Sequence, residues 1–197
     1  MLNNVKNILI TGHTTGLGKE LNTILSKSYN VIGVSTKELD FNKKYKAPSH
    51  IKNINYDYII IYARSNNHRW SELININCTN QIRFALNLKN NINKALIFIS
   101  SRLSRISEVS TGKCDGRIDR LDYAISKAGL NIASVYLSRH CEYPVFAIDP
   151  GSFANRKKPN KPLKAIEIAN SIKKLLNNSL DEYNGKLVKY TGEIVEW

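Results

Sequence analysis

A doubly wound parallel α/β sheet is the fold class this sequence predicts, and three observations predict it. Short apolar, β-branched runs alternate with longer helical patterns along the whole chain. Three of those runs, Ile8-Leu9-Ile10, Ile59-Ile60-Ile61 and Leu96-Ile97-Phe98-Ile99, are continuously apolar rather than alternating. Strands covered by helices on both faces read this way. A glycine cluster, Thr11-Gly12-His13-Thr14-Thr15-Gly16-Leu17-Gly18, stands directly behind the first run and opens a helical pattern. Helices on both faces give three layers, α/β/α. With no internal repeat and no composition break, residues 1–197 make a single domain.

The elements follow in order. Strands are expected at residues 7–11, 30–34, 58–62, 95–100, 144–148 and 185–189, and helices at 15–28, 70–87, 122–140 and 163–177. The first helix opens on Thr14 and Thr15, whose hydroxyls suit a helix start. The helix over 122–140 has Ile125, Ile132, Ala133, Tyr136 and Leu137 as its apolar face. In a doubly wound sheet, ligands bind outside the carboxyl ends of the strands. Gly12, Ala63, Ser101 and Gly151 each follow a strand, so the fold gathers them on one rim.

Composition narrows the chemistry. With 42% apolar and 23% charged residues the chain is an ordinary globular one, not a disordered one. Cys78, Cys114 and Cys141 are odd in number and hold no CxxC pair. That argues against a disulfide framework or structural zinc, and fits a reducing cytosol. His13, His50, His68 and His140 form no ligand pattern, so no metal is expected. No apolar run reaches membrane-spanning length, and the short apolar stretch at the start runs straight into the glycine cluster. A soluble, cytoplasmic protein is the expectation.

The net charge is +13, from 29 basic and 16 acidic residues. Such an excess can attract nucleic acid, anionic membrane or acidic substrates. It can equally reflect lysines scattered over the surface of an Asn-, Lys- and Ile-rich chain. No basic stripe interleaved with aromatics is present, so nucleic acid is not the expected partner. The densest basic run, residues 155–164, is broken by prolines and reads as a loop.

Two motifs carry the chemistry. Gly12, Gly16 and Gly18 allow a tight turn and close helix packing, and they let backbone amides approach a pyrophosphate at a helix start. Tyr123 and Lys127 lie four residues apart, which puts them on one helix face. A lysine ammonium beside a phenol favours the phenolate. A proton donor next to a dinucleotide site points to hydride chemistry on a carbonyl or alcohol.

Together these residues resemble the short-chain dehydrogenase/reductase family over nearly the full length, and the ending is similar to its small, C-factor-like members. The resemblance implies a Rossmann-like fold and an NAD(P)-dependent enzyme with a small-molecule carbonyl or alcohol substrate. Tyr123 matches the general acid/base, and Lys127 the lysine that contacts the nicotinamide ribose and tunes the tyrosine. Ser101 matches the serine that binds the substrate oxygen, and Asn77 the asparagine that holds a relay water. Gly12, Thr14, Thr15, Gly16, Leu17 and Gly18 match the pyrophosphate loop, and Ala63 belongs to the segment that makes the family's adenine-side cofactor contacts. Pro150 and Gly151 match the loop beside the nicotinamide. A homodimer or homotetramer is implied by the same resemblance.

Four departures stand out. Ile61-Tyr62-Ala63-Arg64 replaces the family's Asn-Asn-Ala-Gly, and Arg64 either reaches a phosphate or points into solvent. The stretch from Ser101 to Tyr123 is longer than usual, implying an extra loop at the substrate mouth. Asn155 stands where the family carries a threonine. The segment between Val34 and Asp40 is short, implying a trimmed helix and strand. Asp40 either contacts adenine or serves a turn. The second strand is followed by Ser35, Thr36 and Lys37, with no carboxylate until Glu38. Hydroxyls and a lysine favour NADP over NAD, with NAD still open. The basic run near the expected mouth points to an anionic substrate. An idle dinucleotide-binding protein of the same fold is the rival reading, motivated by the altered Ile61–Arg64 segment.

Overall fold

A computed structural model describes residues 5–65, 69–114, 116–153, 160–161 and 163–197. Its strands are β1 (Asn7–Thr11), β2 (Asn30–Val34), β3 (Tyr56–Ile61), β4 (Ile92–Ile99), β5 (Val145–Asp149), β6 (Leu187–Lys189) and β7 (Ile194–Val195). They form one sheet in the order β2-β1-β3-β4-β5-β6-β7. Every neighbouring pair is parallel except β6 with β7. The doubly wound sheet expected from the sequence is therefore the fold. Its order reverses at β1, so the crevice that doubly wound sheets use lies outside the carboxyl ends of β1 and β3.

The main helices are α1 (Gly16–Leu25), α3 (Trp70–Ile74) continuing through a π-helical turn (Asn75–Thr79) into α4 (Asn80–Asn87), α6 (Leu121–Ser138) and α7 (Ala165–Leu175). Two short ones, α2 (Ser49–Lys52) and α5 (Ile106–Ser110), have too few residues to show periodicity, and neither is predicted. β1 shows how the layers form: Ile8 and Ile10 pack towards Leu17 and Leu21 of α1 and Ile168 and Ile172 of α7. Leu9 faces the other way, into a core shared with Phe84 of α4 and Leu130 of α6. All of these side chains are fully buried, each contributing about 1.5–3 kcal/mol.

Helix α6 corrects one sequence expectation. Of its predicted apolar face, Ile125, Ile132 and Tyr136 point outward, 45%, 59% and 67% exposed. Its buried face is largely polar, carrying Ser126, Lys127, Asn131 and Ser134 beside Leu130. The sheet rim beneath it supplies polar partners rather than hydrocarbon: Ser100 Oγ bonds Asn131 Oδ1 at 2.6 Å, and Lys127 Nζ bonds the Ile99 carbonyl at 2.9 Å.

The short segment after β2 forms no strand among the described residues, leaving β2 at the sheet's edge. The long stretch before Tyr123 folds onto the rim through α5 and is pinned by charge. Arg105 is buried and pairs with Glu108 at 2.9 Å. Ser107 N–H donates to the Trp197 carbonyl, tying this insert to the chain's last residues.

Candidate active site

The glycine loop is shaped by backbone contacts. Gly12 and Gly16 adopt φ of +67° and +53°, in the left-handed region where a side chain is strained. A Cβ on Gly18 would collide with the Gly12 carbonyl, and one on Gly12 with the Tyr62 carbonyl. The loop thus closes tightly on both α1 and the end of β3. Thr11 completes the joint: its Oγ1 accepts from Tyr62 N–H at 2.9 Å. Thr15 caps α1 with no side-chain hydrogen bond, and the first turn holds no acidic residue. Thr14, Thr15 and Gly16 are exposed while Leu17 and Gly18 are buried. Helix-start donors without a side-chain cap, on an open loop, suit a pyrophosphate.

Tyr62 occupies part of the same crevice. Its ring packs beside Gly12 and Gly18, and a Cβ built on Gly16 would lie 3.6 Å from its hydroxyl. Burial pushes the Tyr62 phenol's pKa up, opposed by the Arg64 guanidinium and reinforced by Tyr123. The aromatic side chain at this altered position therefore rests on the loop that is expected to hold phosphate.

The residues expected to do chemistry converge on the neighbouring rim. Tyr123 sits in the first turn of α6, half-buried, with Arg64 Cζ 5.5 Å and Arg120 Cζ 5.4 Å from its ring centroid. Both are within cation–π range. Lys127, one turn further, is sealed beneath the rim. Desolvation pulls its pKa down to about 7, helped by the Arg64 charge and opposed by Cys78. The cations lying against the Tyr123 ring are the two arginines, whereas the Lys127 ammonium turns to Ile99.

Ser101 follows β4 and caps a short 3-10 turn, its Oγ accepting from Leu103 N–H at 3.3 Å. Asn77 lies in the π-helical turn and is fully buried. Its Oδ1 accepts from Ser65 N–H at 2.7 Å and its Nδ2 donates to Ser126 Oγ at 3.5 Å. Ser126 in turn bonds the Tyr123 carbonyl, so Asn77 links the turn after β3 to the helix that carries the phenol. Widened π turns are frequent at functional sites. Ala63 accepts from Gln81 Nε2 through its carbonyl. Pro150 is buried, and Gly151, at φ +70°, donates its N–H to Asp149 Oδ1.

At the other end of the crevice, Ser35, Thr36 and Lys37 follow β2, with Thr36 and Lys37 exposed. Glu38 folds back on them. Its Oε2 accepts from Ser35 N–H at 3.0 Å, which with the Ser35 hydroxyl and two nearby histidines lowers its pKa. Asp40 uses Oδ1 to accept from Asn42 N–H at 2.9 Å, the bond of a turn aspartate. His13 packs its ring on Gly33, and its buried Nδ1 has no partner among the described residues. Residues 154–159 and 162, including Asn155 and most of the basic run, lie outside the described residues, as does His68.

Sequence reasoning missed Tyr62 as a side chain within the crevice, and Arg120 and Ser126 altogether. The altered β3 turn was a signal for the first. A lone arginine in an insert and a serine beside a lysine offer none.

No family model matches the sequence, and no curated protein matches it either. Solved structures do. A carbonyl reductase, Sniffer of D. melanogaster, superposes with a TM-score of 0.73 at 19% identity, over 98% of this chain and 100% of that one. A putative short-chain dehydrogenase/reductase from Burkholderia multivorans with bound NADP gives 0.74 at 16% identity, with the same coverage. A carbonyl reductase from Pseudomonas aeruginosa in complex with NADP gives 0.71 at 15%, again with the same coverage. At these identities the likeness is one of fold: the chain has the doubly wound fold of the short-chain dehydrogenases.

Proposed function

We propose that this chain is an NAD(P)-dependent oxidoreductase of the short-chain dehydrogenase/reductase type, reducing a carbonyl or oxidising an alcohol. The observation that supports this reading is an α1 start open to phosphate on the same rim as helix α6, which carries Tyr123 and Lys127 and is tied to Asn77 through Ser126 and to the end of β4, before Ser101, through Lys127. Gly12, Thr14, Thr15, Gly16, Leu17 and Gly18 would hold the pyrophosphate. Ser35, Thr36 and Lys37 would face the adenosine and its 2′-phosphate, which favours NADP, with Asp40 at the adenine side. Ala63 would lie on the adenine side, Pro150 and Gly151 would wall the nicotinamide, and Lys127 would hold its ribose. When bound, the nicotinamide supplies a hydride. Tyr123 delivers a proton to the substrate oxygen, Ser101 orients that oxygen, and Asn77 fixes the helix that carries the phenol.

Tyr123→Phe removes the proton and leaves the fold intact. We expect turnover of a carbonyl panel to fall by roughly a hundred- to ten-thousandfold, with NADPH binding by fluorescence titration nearly unchanged. Undiminished turnover in that variant refutes the mechanism.

The altered Ile61–Arg64 segment favours a second reading, an idle dinucleotide-binding relative, because it sets an arginine against the ring of the expected proton donor. NADPH binding with no oxidation across the panel selects that reading.

We also infer a homodimer through the outer face of α6. Leu121, Ile125, Ile132 and Tyr136 recur at helical spacing and are all exposed. Ile132→Lys should convert a dimer into a monomer in sedimentation velocity; a wild type that sediments as a monomer rules the dimer out.

A further inference from the structure

Arg64 and Arg120 come from opposite sides of the sequence, one from the turn after β3 and one from the 3-10 turn before α6, yet both guanidinium groups lie about the same phenol. Neither forms an ion pair among the described residues. The acids nearest in sequence are engaged elsewhere. Asp119 pairs with Arg117 at 3.2 Å, and Asp122 accepts from the Tyr123 N–H at 2.6 Å. A third basic group, Lys127, is buried one helical turn away, close enough to Arg64 to feel its charge. Two guanidinium groups therefore lie against one phenol ring, and neither is paired with a carboxylate among the described residues.

Guanidinium groups are planar donors that match carboxylates and phosphates, and charge-assisted hydrogen bonds are the strong ones. We propose that Arg64 and Arg120 bind the anionic group of the substrate, so that the substrate is a short oxo acid (or the matching hydroxy acid) with its carboxylate a few bonds from the reacting carbon. This rests on the oxidoreductase reading and names the substrate class of the same site. It also gives the departure at residue 64 a purpose: a guanidinium stands where the family has glycine, beside the phenol that donates the proton.

The test compares phenylglyoxylate with its uncharged methyl ester, in wild type and in the Arg64→Gln/Arg120→Gln double variant. For wild type, kcat/KM should favour the acid by tenfold or more. Both substrates feel any change at the Tyr123 phenol, so the double variant should lose roughly ten- to a hundredfold more on the acid than on the ester, with the excess in KM. Equal losses on both substrates, or a wild type indifferent to charge, overturn the proposal. Calorimetric titration of phenylglyoxylate into protein without nucleotide reads the anion site directly. Binding by wild type but not by the double variant supports the site even where no turnover is found, and that result would discard the enzyme reading alone. Equal binding, or none, by both proteins rejects the anion site.

Discussion

The loop behind β1 and the turn behind β3 sit side by side at the switch point, yet they are built in opposite ways. The first is made of backbone. Gly12, Gly16 and Gly18 carry no side chains, and the loop presents helix-start donors to solvent. The second is made of side chains: Tyr62 lays a ring on that loop and Arg64 reaches across to Tyr123. Thr11 stitches the two together through the Tyr62 backbone. The difference teaches that a main-chain surface and a side-chain surface can share one crevice and be altered separately. On the proposed reading, the backbone loop would serve any nucleotide of the right shape, while the side chains of the β3 turn would decide what else the crevice admits.

Breaking the backbone half should have the largest effect. Gly18→Val places a branched side chain against the Gly12 carbonyl, and there is no flexible neighbour to yield. We expect a loss of about 3 kcal/mol in urea unfolding, from overpacking alone. An unchanged midpoint would mean that the loop is less closely packed than described.

The side-chain half is sharpened by pH. Lys127 is fully buried and its folded pKa lies at about 7, below the ordinary 10.5. Between these values the unfolded chain binds a proton that the folded chain does not, so folding becomes more favourable as pH rises through this window. Relative to Lys127→Met, wild-type stability should climb by about 1.4 kcal/mol per pH unit at most between pH 7 and pH 10, and run flat below pH 7. Denaturation midpoints of both proteins across that range check it, and parallel curves would show that the ammonium is not desolvated.

The smallest effect tests the nucleotide end. Glu38→Gln removes a negative charge held against Ser35 N–H, where a 2′-phosphate would approach. Because the group is solvent-facing, we expect NADPH affinity to rise relative to NADH by only about threefold in paired fluorescence titrations.

These contrasts also explain what could be read from the sequence. The strands were legible because β1, β3 and β4 are buried on both faces over their centres and so appear as unbroken apolar runs. The glycine loop was legible because φ above zero leaves few alternatives to glycine. The orientation of α6 was not, since periodicity reports that a helix has an apolar face but not which way it looks. Here the polar face of Lys127 and Asn131 is turned inward by hydrogen bonds to the rim, which no spacing announces. The pairing of Arg64 with Arg120 was likewise invisible, because two residues 56 positions apart meet only when β3 and α6 are folded together.

Tyr62 carries one more consequence. Its ring lies beside Gly12 and Gly18 with the hydroxyl near Gly16, so a phosphate that settled at the start of α1 would meet a phenolic hydrogen-bond donor as well as backbone amides. That donor belongs to a side chain and not to the main chain, so Tyr62→Phe would separate what the phenol adds from what the loop supplies by its backbone alone.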